Sequence, residues 1–186
     1  MFYWYKPTPA QVQTHLARQA ALPFSYSAVG QTKQTPPRGY VVDHNRVQLG
    51  IGQAAFEQAK KALQRWQMFN LGWVQICWPD APLASGATVG VLATVCGLWS
   101  LNACRIVYVV DEIDCYGFAY GTLPDHLERG EERFLVEWRQ SDDSVWYDIL
   151  AFSQQQHPLA KLGYPVVRHF QKHFARDSNR AMKQQC

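Results

Sequence analysis

Four residues with acid–base or ligating side chains crowd one short stretch of the sequence: His126, Glu128, Glu131 and Glu132. Such a group could act as a proton-transfer pair or as an oxygen-rich metal set. Strand alternation sorts them. Glu132 falls on the same face as Phe134, Val136 and Trp138, whereas Glu131 points with Arg133 toward solvent. Glu132 is therefore expected at a cavity wall with His126 at its rim, and these two are the candidate catalytic residues. A hairpin with ordinary exposed charges is the competing reading. Tyr108, Tyr120, Trp138 and Tyr147 could line the same cavity, with phenol groups orienting a mostly apolar ligand, and Arg105 could pair with an anionic group. A core filled by these rings is an equal alternative.

Other constellations are weaker. Gly50-Ile51-Gly52-Gln53-Ala54-Ala55 satisfies the glycine spacing of a dinucleotide fingerprint. That mechanism needs a parallel strand buried on both faces, and the preceding segment carries Asp43, His44, Asn45, Arg46 and Gln48. A tight turn that lets a helix approach the sheet is preferred. His169 and His173 stand four apart on a helix, a spacing that permits a metal site, but no third ligand is placed. Lys172 and Arg176 beside them favour a solvated basic face. No G-x-S-x-G, H-E-x-x-H or P-loop is present, and no cofactor or metal is expected.

The elements that must position these groups follow from length and pattern. A chain of 186 residues with 47% apolar and 18% charged residues is sized for one domain and excludes disorder. The net charge of +3 does not suggest a nucleic-acid partner. Five cysteines without a C-x-x-C spacing read as free thiols of a reducing compartment. With no secretory signal visible, a soluble cytoplasmic protein is expected. Residues 81–104 carry no charge over 24 positions, but they include Pro82, Gly86, Gly90 and Gly97 and are rich in Val and Thr, which favours strands over a membrane span.

A helix is expected over residues 8–21, followed by a Pro- and Gly-bearing connector to 38. A strand over 40–49 precedes a helix over 53–68, whose Phe56, Ala59, Leu63 and Trp66 form one stripe. The period then changes to two. Strands are expected over 73–78, 88–98, 102–113, 116–123, 131–139 and 145–152, mostly with short connections, which argues antiparallel pairing. A terminal helix of roughly 28 Å opens near Gly163-Tyr164-Pro165 and runs to about Lys183. Residues 158–186 carry +5, so this helix could touch a membrane surface or RNA, although the solvated outer face of a packed helix is preferred. The expected architecture is α+β, with about seven antiparallel strands curved around the C-terminal helix. The regions are 1–38, 39–157 and 158–186 of a single domain.

This order resembles the helix-grip fold of the START and birch-pollen-allergen superfamily, also called SRPBCC. The block from Tyr120-Gly121-Thr122 through Glu131-Glu132-Arg133-Phe134 is similar to the signature of the family catalogued as domain of unknown function nineteen-ninety. Also similar are Gly50-x-Gly52, Phe69-x-x-x-Trp73, Gly97-Leu98-Trp99, Asn102-x-x-Arg105-x-Val107-Tyr108, Val145-Trp146-Tyr147-Asp148-Ile149 and Leu162-Gly163-Tyr164-Pro165-x-x-Arg168-x-x-Gln171. Asp125 departs from an expected Gly, and Gln154-Gln155 from an expected Arg-Pro pair. The resemblance brings with it no established enzymatic activity. A plant branch linked to the plastid outer envelope as a proposed pore adds a membrane-associated alternative. The leading expectation is a small apolar or amphipathic ligand held between sheet and terminal helix; an enzyme using the same cavity is the second.

Overall fold

The computed structural model describes residues 1–80, 82–156 and 164–186. Strands β1 (Phe2–Tyr3), β2 (Val41–Ile51), β3 (Val74–Ile76), β4 (Thr88–Val95), β5 (Leu98–Asp111), β6 (Cys115–Thr122), β7 (Glu128–Trp138) and β8 (Ser144–Gln155) form one antiparallel sheet. Its order is β2-β8-β7-β6-β5-β4-β3, with β1 added beside β5. The helices are α1 (Pro9–Ala20), α2 (Gly52–Gln64) and α3 (Tyr164–Lys183). The expected start of the last helix at Gly163, and Lys161 of its basic set, lie outside the described residues.

Local chemistry accounts for the punctuation. Thr8 caps α1 through a capping box with Gln11, and Pro9 occupies the first turn. At the Gly50/Gly52 turn, β2 lies antiparallel to β8 and the register shifts between Gln48 and Gly50. A Cβ on Gly50 would come 2.8 Å from the Ala55 Cβ. The glycine thus serves close helix approach, and the parallel unit a dinucleotide fold requires is absent at this turn. The expected turn at 99–101 is instead strand; Cys96 and Gly97, both at positive φ, make the hairpin between β4 and β5. The uncharged stretch is therefore mostly paired strand. Among the described residues, no helix is long and apolar enough to cross a membrane.

The sheet curls, helped by irregularities in β2 and β5 that bend the ladder. Its concave face and the helices α2 and α3 enclose the main core, which includes Phe56, Leu63, Trp66, Phe69, Phe118 and Phe134. The convex face is covered as well. Val12 and Leu16 of α1 pack on Leu92, Leu101, Ala103 and Leu123, forming a second, smaller core. The connector after α1 continues over the same face: the Tyr26 hydroxyl, the Gly30 and Thr32 amides and the Thr32 hydroxyl all donate to the Glu131 carboxylate. Glu131 is consequently 3% exposed, which corrects the expectation that it faces solvent. Strand alternation placed it on the right face. What alternation could not show is that residues 24–34 fold over that face.

Candidate functional site

A cavity of about 620 Å³ lies between the concave face and α3. Apolar walls come from Phe69, Trp73, Val91, Ile149, Phe170 and Phe174. Phe69, a buried ring, sits in the short turn after α2 and touches Phe134 and Phe174. Phe170 and Phe174 come from one face of α3, four residues apart, as a helix packed on a sheet requires.

Polar groups enter from the sheet. Tyr120 and Glu132 are direct cross-strand partners of β6 and β7, so their side chains share the concave face. The Tyr120 hydroxyl donates to Glu132 Oε2 at 2.7 Å. Burial pushes the Glu132 carboxyl up to about 7, opposed by the Tyr120 hydrogen bond and reinforced by the negative charges of Glu128 and Asp43. His126, in the connection between β6 and β7, accepts at Nδ1 from the Glu128 amide at 3.0 Å. Burial depresses its pKa to about 4, so at neutral pH it is the uncharged tautomer with hydrogen on Nε2. The Asn102 Nδ2 donates to Ser100 Oγ, whereas its buried Oδ1 has no hydrogen-bond partner among the described residues.

One end of the cavity is bounded by a clasp between α3 and the sheet. Gln171 donates to both Glu128 carboxylate oxygens at 2.7 Å, and Arg168 donates to Gln171 and to both oxygens of Asp43. Asp43 and Glu128 belong to β2 and β7, which flank β8 in the sheet order. Arg168 is thus drawn inward and does not share the solvated basic face of Lys172, Arg176, Arg180 and Lys183, which are exposed. His173 contacts Asp177 at 2.8 Å and lies against Trp73, which ties it into packing at the helix edge. Among the described residues, no group of three or more His, Cys, Asp or Glu could hold a metal ion.

Of the seven candidate binding residues, Tyr120, His126 and Glu132 line the cavity. Arg105, Tyr108, Trp138 and Tyr147 are not among its lining residues. Arg105 lies against the convex side, donating to the Ala20 and Leu22 carbonyls beneath Phe24. Tyr108 is on that side too, with its hydroxyl 2.7 Å from Thr32 Oγ1. The reason is the irregularity at Val107: Ile106 pairs with Tyr120 but Tyr108 pairs with Ala119, so one extra residue moves Tyr108 to the other face. Trp138 stacks on Phe56 and donates to Asp143, at the far end of its strand. Tyr147 is fully buried and hydrogen-bonds Ser178 of α3.

Sequence reasoning assigned no role to Asp43, Asn102, Phe69, Trp73, Phe170 or Gln171. The readable signal was the Arg168-x-x-Gln171 spacing, which places both side chains on one helix face toward the sheet.

An antiparallel sheet curled around a long C-terminal helix is the helix-grip fold of the birch-pollen-allergen type. Structural similarity agrees: a hypothetical protein from Helicobacter pylori aligns with TM-score 0.53 and 12% identity over 87% of this chain and 98% of the other. The crystal structure of Ara h 8.0201 aligns with TM-score 0.50 and 14% identity over 77% of this chain and 98% of the other. The chain belongs to the family described as domain of unknown function (DUF1990), whose profile matches residues 25–181. It is 42% identical over 193 residues to a UPF0548 protein of Deinococcus radiodurans, covering 95% of this chain and 96% of that protein. A UPF0548 protein of Dictyostelium discoideum is 36% identical over 199 residues, covering 96% and 92%.

Proposed function

We propose that this protein binds a small, largely apolar molecule between the sheet and α3, oriented by a polar group that meets Glu132. The observation that carries the reading is a space of about 620 Å³ in which aromatic walls surround a carboxyl held by Tyr120. This size suits a small-molecule site, and a few directed polar groups in an apolar wall are what fix a ligand's orientation. Ala151 lies directly across from Glu132 on β8, so Ala151→Phe introduces a ring into the space. Native mass spectrometry of freshly purified protein should reveal a co-purifying molecule, and the neutral dye 1-aminoanthracene should bind. Both signals are expected to vanish in Ala151→Phe. A wild-type protein that carries no adduct and excludes the dye would sink the reading.

A second reading, an enzyme using this cavity, is favoured by one observation. The Glu132 carboxyl lies at about 7, near the value at which a proton-transfer group works best at neutral pH. His126, depressed to about 4, is suited to donating a hydrogen bond from Nε2 and remains uncharged. Turnover of any bound molecule should then follow a pH profile with an inflection near 7 that disappears in Glu132→Gln. Binding without turnover across a substrate screen would leave the carrier reading alone.

A further inference from the structure

The lining of the cavity is unbalanced in both charge and hydrogen-bonding capacity. Four acidic residues line it; Glu131 turns its carboxylate to Tyr26, Gly30 and Thr32 on the convex face, which leaves the carboxyl groups of Asp43, Glu128 and Glu132. Among the described residues, Lys172 is the only lysine or arginine in the lining, and it is exposed at the rim. Arg168 answers Asp43 from outside the lining, and Gln171 answers Glu128 with neutral N–H groups. Glu132 has neither: its Oε2 receives a phenol hydrogen from Tyr120, and no cation is paired with it among the described residues. Independently, Asn102 is 8% exposed and lines the same cavity, and its Oδ1 has no donor. A buried acceptor without a donor costs about 1–3 kcal/mol until something donates to it. Two acceptors of the cavity, the Glu132 carboxyl and Asn102 Oδ1, are thus short of donors, and the walls include the rings of Phe69, Trp73, Phe170 and Phe174, whose faces attract positive charge.

We propose that the ligand is a protonated amine on a compact apolar or aromatic body, with Glu132 as its counter-ion. The body lies among Phe69, Trp73, Phe170 and Phe174. An ammonium group supplies up to three donors to a site rich in acceptors. It also neutralises the one of these three carboxyls that, among the described residues, receives neither a cation nor an N–H group. An alcohol supplies one donor and no charge, whereas a carboxylate adds a fourth negative group. This assignment rests on the cavity reading above and specifies its chemistry.

The pH dependence follows from the groups around Glu132. Tyr120 on β6 and Tyr147 on β8 have hydroxyls raised well above the usual phenol range by burial, and the Cys104 thiol on β5 is raised too. His126 stays neutral above pH 5. Asp43 on β2 and Arg168 on α3 are paired with each other, and Lys172 is at the rim. Glu128 on the same strand is raised by burial and is the second carboxyl to consider. His44 on β2, also in the lining, is held by Asp148 on β8 at 2.7 Å, so the group left to meet the amine is Glu132, which has to be ionised and changes its charge between pH 6 and 8.

The test uses 2-phenylethylamine, 2-phenylethanol and 3-phenylpropionate, which share a ring and a short chain and differ in head-group charge. Calorimetric titration of the wild-type protein at pH 8 is expected to rank amine over alcohol by about tenfold, with the acid weakest. Amine affinity should fall about tenfold between pH 8 and pH 6, while alcohol affinity stays level. Glu132→Gln should bring the amine to the alcohol's affinity and remove its pH dependence. Retained binding of the alcohol shows that this variant is folded, and Glu128→Gln should keep the amine preference. If alcohol or acid equals the amine at pH 8, the amine assignment falls and the cavity reading stands. The amine assignment also falls, with the cavity reading intact, if 1-aminoanthracene binds but none of the three compounds does. If neither the dye nor the three compounds bind, both fall.

Discussion

Glu131 and Glu132 are adjacent in the chain, and the pleat sends them to opposite faces of the same strand. On the convex face, four donors from Tyr26, Gly30 and Thr32 converge on Glu131. Nearby, Arg133 bridges the Thr32 carbonyl and Asp148. That approach is possible because Gly121 lacks a Cβ, which would otherwise lie 2.1 Å from the Tyr26 hydroxyl. On the concave face, Glu132 has one phenol donor and faces a cavity. The first carboxylate is spent on structure: it fastens the N-terminal connector to the sheet. The second is under-coordinated in an apolar setting, the condition under which a carboxyl's proton becomes available to a ligand or a reaction.

Removing the structural carboxylate should have the larger effect. Glu131→Ala leaves buried donors without an acceptor and is expected to lower unfolding stability by about 3–5 kcal/mol, read from urea midpoints. If stability drops by less than about 1 kcal/mol, the contrast between the two faces is wrong. For Glu132 the sign reverses. Its folded pKa of about 7 exceeds the ordinary value of 4.5, so its contribution to stability is full below about pH 4.5 and is lost as pH rises through 7. Wild type should therefore gain about 2–3 kcal/mol relative to Glu132→Gln when urea unfolding is moved from pH 8 to pH 5. Parallel pH profiles for the two proteins would remove the case for an under-coordinated carboxyl. The smallest effect belongs to Arg105→Ala, which loses two carbonyl partners at the end of α1 and contact with Phe24. A cost of about 1–2 kcal/mol is expected. Binding of 1-aminoanthracene should be unchanged, and a loss of binding would relocate the site.

The legible parts of the fold were those with strong periodicity. Phe134, Val136 and Trp138 alternate with Arg133, Leu135, Glu137 and Arg139, a mostly charged set, so the face of Glu132 could be read, and cross-strand pairing then places Tyr120 beside it. Tyr108 could not be placed, because the additional residue at Val107 reverses a parity that sequence alternation assumes. Tyr147 and Trp138 were assigned to the correct face, but a face is larger than a cavity. Ser178 and Phe56 occupy the space beside them.

Amino-acid order alone determined the alternation of the strands, the short antiparallel connections, the long amphipathic closing helix and the family signature around Glu131–Glu132, because each depends on neighbours within a few residues. Tertiary structure decided which buried groups find partners. Asp43 meets Arg168 across 125 positions, and Glu131 meets Tyr26 across 105. Encounters at such separations depend on how the sheet curls and which segment crosses it, and no local pattern encodes that. The same long-range packing leaves Glu132 facing an unfilled space.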